Sequence, residues 1–226
     1  CRQPSPTAPQ SEMSVNMKSG FVMVAATVLA ATALGGCSSD SGASSASSVL
    51  PAIPSSAAPT LPSFPPVAEN ATMTLNTNQG TIVIAMDPKA PVTDASLAYL
   101  ANSGFYNGTT CHRLTTSGLY VLQCGDPAGN GTGGPGYQIP DENLPATAPN
   151  NYPRATVAMA NSGPNTSGSQ FFIVYQDTTL AGDYTIWGTV TQGMDVVDKI
   201  AAAGVAGGRT DGPPAAGVTI ETATVS

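Results

Sequence analysis

The sequence predicts a mainly β domain, a closed antiparallel barrel whose open ends are covered by two helices. Three observations carry this. Beyond residue 70 the chain is largely short runs of strand character cut by Gly, Pro and Asn. Two stretches there carry the 3.6-residue apolar period of a helix. The 24 Gly and 20 Pro suit a chain of frequent turns and linkers rather than a helical bundle.

In order, residues 72–77 alternate Thr or Asn with Met73 and Leu75, Asn78-Gln79-Gly80 turns, and residues 81–86 make a second strand. Pro88 and Pro91 punctuate before a helix over residues 92–103, where Thr93, Leu97, Leu100 and Ala101 share one face and Gly104 is the stop. Met194, Val197, Ile200 and Ala201 mark the second helix after Gly193, and a last strand lies within residues 218–225.

Ahead of the domain the composition changes. Met17-Lys18 and the charge-free run to Gly36 read as a signal peptide over residues 17–36, its apolar part too short to span a bilayer comfortably. It ends in Leu34-Gly35-Gly36-Cys37, which resembles a bacterial lipobox and implies lipidation of Cys37. Residues 1–16 fit no signal design and are taken as upstream or mis-started sequence, with Met17 the better initiator. Residues 37–70, rich in Ser, Ala and Pro, bury too little apolar surface to offset their ordering entropy and are expected to be a tether. The folded domain is then 71–226, held by its lipid to the outer face of the cytoplasmic membrane. With 9% charged residues and a net charge of −7, the chain has no basic footprint for nucleic acid.

The most telling stretch is Met159-Ala160-Asn161-Ser162-Gly163-Pro164-Asn165-Thr166-Ser167-Gly168-Ser169-Gln170-Phe171-Phe172-Ile173. A Gly/Pro/Asn/Ser loop turns abruptly into an aromatic strand, which suits recognition of an extended peptide. The stretch resembles the signature of the cyclophilins, a family of peptidyl-prolyl cis-trans isomerases. Further pieces of the family pattern follow its order: Ser103-Gly104-Phe105-Tyr106-Asn107-Gly108, His112-Arg113, Gln123-Cys124-Gly125-Asp126, Gly131-Thr132-Gly133-Gly134, Leu180-Ala181-Gly182 and Trp187-Gly188-Thr189-Val190. The resemblance implies a closed eight-stranded antiparallel barrel with two capping helices. It also implies catalysis of X-Pro isomerisation, without cofactor or metal, on proline-containing polypeptides by a monomer.

Rotation about an X-Pro bond must break amide resonance, a barrier of roughly 18–20 kcal/mol. No nucleophile is needed; the proline must be held and the twisted amide, with its more basic nitrogen, stabilised. An always-charged, planar, donor-rich guanidinium fits. Of the five basic residues in the domain (Lys89, Arg113, Arg154, Lys199, Arg209), Arg113 sits in a strand-like apolar context and matches the family's catalytic arginine. By the same resemblance Gln123 and Phe172 complete the catalytic set. Tyr120, Val121, Leu180 and Tyr184 are expected at the proline pocket, and Ala160, Asn161 and Gln170 along the peptide groove. His112, the single histidine, is read as structural because amide rotation has no proton-transfer step, and it leaves no histidine cluster for zinc.

Four departures from the family pattern stand out. Thr115-Thr116-Ser117-Gly118 lengthens the turn after Arg113 by about two residues. Thr179 stands where many relatives carry Trp, and Tyr184 where they carry His, which implies weak binding of cyclosporin-type macrocycles. Cys111 and Cys124 stand where the family more often has Phe and Gly, and they are expected to pair as a disulfide, with a bulge near Gly125 to bring them to one side. The expected activity is isomerisation of exported polypeptides at the cell envelope. The alternative is a proline-peptide binding adaptor or chaperone on the same fold.

Overall fold

The computed structural model describes residues 61–226. The signal peptide, Cys37 and residues 37–60 of the tether lie outside the described residues. Nine strands and two helices follow: β1 Thr72–Thr77, β2 Gly80–Met86, α1 Pro91–Asn102, β3 Arg113–Thr115, β4 Val121–Cys124, β5 Thr156–Met159, β6 Phe171–Val174, β7 Ile186–Gln192, α2 Met194–Ala203, β8 Asp211–Gly212 and β9 Ile220–Val225. All strands join one curled antiparallel sheet in the order β8-β3-β4-β6-β5-β7-β2-β1-β9. The mainly β architecture and both helices match the sequence reading. The strand number does not: the ladder has nine members rather than eight and ends at two edges, β8 and β9. A single bridge of Thr110 to Thr219 joins the segment before β3 to the segment before β9, where the Ile220 N–H donates to Thr109 O at 2.8 Å. The added member, β8, is two residues long, too short for an apolar alternation to announce it.

Alternation decides what each strand buries. Met73 and Leu75 of β1 and Ile82, Ile84 and Met86 of β2 point into one large core, together with Leu97, Leu100 and Ala101 of α1 and Val197 and Ile200 of α2. Trp187, Phe171 and Tyr106 fill its centre, with Phe171 edge-on to Trp187 and to Tyr106 at 5.7 and 5.9 Å. Ile220 and Ala223 of β9 both reach this core although an odd number of positions separates them. The register shift opposite Asn76 and Thr77 supplies the extra residue that turns both inward.

Two expectations about the domain's margins change. Within the described part of the tether, Phe64 and Val67 pack against the core, and Phe64 lies 5.7 Å from Tyr99 and 5.5 Å from Tyr137. The packed unit therefore reaches back at least to Phe64. The second change concerns the hairpin of β3 and β4, where Cys111 and Cys124 are joined and both side chains lie in the large core. The sequence calls for a bulge there, yet the pairing resumes in the same register at the Thr110–Asp126 bridge. The ladder is interrupted instead: the Cys111 N–H donates to Val218 O at 3.0 Å, and Gly125 takes φ 85°.

Candidate functional site

Five strands place one row of side chains on the sheet face away from the large core. Arg113 stands opposite Gln123, Gln123 opposite Phe172, Phe172 opposite Ala158, and Ala158 opposite Ile186. Directly opposed residues of antiparallel strands share a face, so these residues form one line across the sheet. One step along, Val121 faces Val174. Val121, Ala158, Phe172, Val174 and Tyr152 make a second, smaller apolar cluster, with Leu119, Ala160, Leu180, Tyr184 and Ile186 packed around it.

The loops that wall this cluster are tied by side chains. Asn151 imitates a strand partner for Leu180, accepting from its N–H at 3.0 Å and donating to its carbonyl at 2.9 Å. The Tyr152 hydroxyl accepts from the Tyr184 N–H at 3.1 Å and donates to the Tyr184 carbonyl at 3.0 Å. Burial pushes that hydroxyl's pKa up to about 12, so it stays protonated and able to donate. Phe172 then meets Tyr184 edge-on at 5.6 Å and Tyr152 at 6.2 Å. Asn161 donates to Asp183 O at 2.7 Å, joining the loop after β5 to the loop before β7.

Beside the apolar floor runs a polar chain. Arg113 Nη1 donates to Gln123 Oε1 at 3.4 Å, and Gln123 Nε2 donates to Gln170 Oε1 at 3.0 Å. Gln170 Nε2 in turn donates to the carbonyls of Gly133 and Gly131, at 2.9 and 3.1 Å. This chain borders a cavity of about 520 Å³ lined by Gln123, Gly133, Ala160, Asn161 and Gln170 among others. The glycine-rich rim is shaped by Asp126. Its carboxylate accepts from the N–H groups of Ala128, Asn130 and Gly131 at 2.7, 2.9 and 2.5 Å. Burial opposes the charge on Asp126, but these three donors hold its carboxyl below the usual range. A Cβ on Gly133 would stand 2.0 Å from Asp126 Oδ1, so a side chain there cannot coexist with the loop as built.

Arg113, like Arg154 beside Asp198, is held in its charged form by a carboxylate partner. Its hydrogen bonds to Asp211 raise its pKa further above the ordinary arginine value, keeping it charged. Next to it, burial lowers the His112 pKa, with the Arg113 charge adding to the effect and Asp126 opposing it. Neither ring nitrogen of His112 has a hydrogen-bond partner. A neutral imidazole outside the row agrees with the structural role read from the sequence. Among the described residues, no group of three or more His, Cys, Asp or Glu side chains is arranged to hold a metal ion.

The row and its surroundings match a known family. The family model described as "Cyclophilin type peptidyl-prolyl cis-trans isomerase/CLD" matches residues 72–225. The chain belongs to the cyclophilin-type peptidyl-prolyl cis-trans isomerase family. It is 54% identical over 156 residues to a probable peptidyl-prolyl cis-trans isomerase B of Mycobacterium tuberculosis, covering 64% of this chain and 51% of the relative. A peptidyl-prolyl cis-trans isomerase of Helicobacter pylori is 41% identical over 138 residues, covering 59% of this chain and 82% of the relative. This chain therefore spans about half the length of the mycobacterial proteins it matches. Among solved structures, a cyclophilin-type isomerase of Cryptosporidium parvum superposes with a TM-score of 0.60 at 27% identity, over 69% of this chain and 96% of that one.

Set on this cyclophilin-type domain, most of the residues expected from the sequence come together. Arg113, Gln123, Phe172 and Val121 share the outer face, Leu180, Tyr184 and Ala160 edge it, and Asn161 and Gln170 line the adjoining cavity. Tyr120 does not join them. β4 begins at Val121, which shares a face with Gln123, so Tyr120 is turned the other way and meets Tyr175 edge-on at 5.9 Å. The lengthened turn brings Leu119 to the apolar cluster instead. The sequence reading also omitted Asn151, Tyr152, Ile186 and Asp211. Asn151 and Tyr152 hide in a Pro- and Asn-rich loop, and Asp211 lies 98 residues from the arginine it binds, so no local spacing announces any of them.

Proposed function

We propose that this domain catalyses cis-trans isomerisation of X-Pro bonds in extended polypeptide segments laid across the row from Arg113 to Ile186. The observation that carries the reading is the juxtaposition of a permanently charged guanidinium with an apolar floor. Arg113, Gln123 and Phe172 stand on adjacent strands at one level of the sheet. A proline ring seated on Phe172, Val121 and Leu180 brings its amide beside Arg113 and Gln123. As the amide twists, its nitrogen loses resonance and gains a lone pair, which an Arg113 N–H stabilises more than it does the planar ground state. Nothing in this scheme requires a proton transfer or a covalent intermediate. The Thr110–Thr219 bridge, with the Cys111 N–H to Val218 O and Ile220 N–H to Thr109 O bonds beside it, is read as the seam that completes the barrel and holds the β3 and β9 sides together.

The clients proposed are exported polypeptides, met by a monomer held at the outer face of the cytoplasmic membrane. Support comes from the basic-then-apolar run after Met17 and from Leu34-Gly35-Gly36-Cys37. A diacylglyceryl group on Cys37 would supply the two-chain anchor that stable membrane attachment needs. Cys37→Ala should therefore release the protein or leave it unprocessed; unchanged fractionation and precursor size would remove this part of the reading.

A protease-free isomerisation assay on an X-Pro peptide tests the activity. The wild-type protein should accelerate exchange, and Arg113→Ala should slow turnover about 100- to 1000-fold, the usual cost of losing a preorganised donor to transition-state charge, while peptide affinity changes little. Wild type that binds the peptide and leaves exchange at its uncatalysed rate would replace the isomerase with the binding adaptor.

A further inference from the structure

The shortest strand of the sheet holds the arginine of the row. β8 pairs with β3 so that Asp211 faces Thr115 and Gly212 faces Leu114, and the Thr116 N–H donates to Thr210 O at 2.9 Å. From this backbone-fixed position the Asp211 carboxylate accepts from Arg113 Nε and Nη2, both at 2.8 Å. The grip is side-on: it occupies one edge of the guanidinium and leaves Nη1 turned toward Gln123. The molecule contains its own contrast in Arg154 and Asp198. There the carboxylate takes both terminal nitrogens, Nη1 and Nη2, at 2.7 Å each, and Nη1 also donates to Tyr175 O, so no Nη of Arg154 remains without a partner.

We propose that Asp211 is the positioning residue of the isomerisation, fixing Arg113 side-on so that Nη1 is presented to the substrate amide. This rests on the isomerase reading of the same site. Three arguments support it. The pair is half-exposed, with side chains 38% and 53% accessible, and exposed ion pairs contribute little to folding stability, so its geometry serves orientation better than stability. A free Arg side chain samples many rotamers, and a bidentate partner fixes one of them before substrate arrives. The charged groups facing Asp211 are Arg113 and Arg209, with Tyr184 and His112 standing near Arg113. Hydrogen bonding from Arg113 holds the Asp211 carboxyl below its ordinary range, so the pair stays ionised at neutral pH.

The test combines kinetics with a direct view of the pair. On an X-Pro peptide, Asp211→Ala should lower kcat about 10- to 100-fold, the scale of a misplaced catalytic group, with KM within about twofold. Asp211→Asn, which keeps the shape and loses the charge, should fall between wild type and Asp211→Ala and serves if the alanine variant does not fold. Asp198→Ala, which breaks a bidentate pair of the same chemistry, should match wild type. In an Arg113→Ala background, Asp211→Ala should cause no further loss, because its effect passes through the guanidinium. By proton–nitrogen NMR, the Arg113 Nε–H resonance should exchange slowly in wild type and become fast in Asp211→Ala. Wild-type kcat in folded Asp211→Ala, or losses that add in the double variant, would overturn the proposal and leave the isomerase reading standing. A wild type that does not catalyse, with an Nε–H signal still dependent on Asp211, would overturn the isomerase reading and the positioning role of Asp211 together.

Discussion

The two faces of β4, β5 and β6 are made from neighbouring residues and do different work. Leu122, Val157, Met159, Phe171 and Ile173 point into the large core, whereas Val121, Ala158, Phe172 and Val174 belong to the outer cluster beside Arg113 and Gln123. Phe171 and Phe172 are the sharpest pair: the same side chain in consecutive positions, one 0% exposed between Trp187 and Tyr106, the other 5% exposed under Tyr184. The inner face is packed for burial, and its apolar residues need only shape and volume. The outer face sets apolar side chains, the cluster's centre as buried as the inner face, beside a hydrogen-bonded polar chain, an arrangement that fits the proposed ligand, part ring and part amide. Stability and function are thus expected to separate by strand parity.

The largest effect that could break this comparison lies at the centre of the inner face. Trp187 is fully buried and edge-on to Phe171. Trp187→Ala should cost about 3–5 kcal/mol of unfolding free energy, measured by denaturant titration. Turnover per folded molecule should remain within about twofold of wild type. A comparable loss of activity in the folded fraction would mean that the two faces are coupled.

A smaller effect comes from a polar group on α1. Burial, with the nearby carboxylates of Asp87 and Glu142 adding to it, pushes the Asp94 pKa up to about 8, and Asp94 Oδ1 has no hydrogen-bond partner. Asp94 is thus protonated in the folded protein up to about pH 8, and ionised in the unfolded chain above about pH 4. Between those limits the folded state binds the extra proton, so its stability falls as pH rises through the window. A pKa rise from 3.8 to about 8 is worth about 5 kcal/mol at full effect. Solvent screening of a carboxyl at the helix start lowers this, so wild type should lose about 3 kcal/mol between pH 4 and pH 8 relative to Asp94→Asn. Parallel pH–stability curves for the two proteins would contradict this. Isomerisation at Arg113 should show no inflection from Asp94, since α1 supplies no residue to the row.

Most of the inner face was legible in the sequence, because alternation and the 3.6-residue period follow directly from burial. Met73, Leu75, Ile82 and Ile84, and the stripe of Thr93, Leu97, Leu100 and Ala101, fall where those periods put them. The outer face was legible only through the ordered motifs that resemble the cyclophilins: composition gives no reason to set Phe172 apart from Phe171. Tyr120 shows the limit of motif matching. Counting back from Gln123 puts an aromatic residue in the expected place, but strand parity turns it to the other side and the longer turn substitutes Leu119. Asp211 and the edge strand that carries it depend on a pairing between segments 98 residues apart, which no local pattern encodes.

The most direct measurement compares Phe171→Ala with Phe172→Ala on one proline peptide, with NMR exchange rates normalised to the folded fraction. The account predicts that Phe171→Ala loses about 3–5 kcal/mol of stability and keeps turnover and affinity per folded molecule. Phe172→Ala should be destabilised less and should bind the peptide about tenfold more weakly, roughly 1.4 kcal/mol of lost contact, with a matching fall in catalytic efficiency. Equal functional losses in the two variants, or weakened binding in Phe171→Ala alone, would contradict the assignment of function to the outer face.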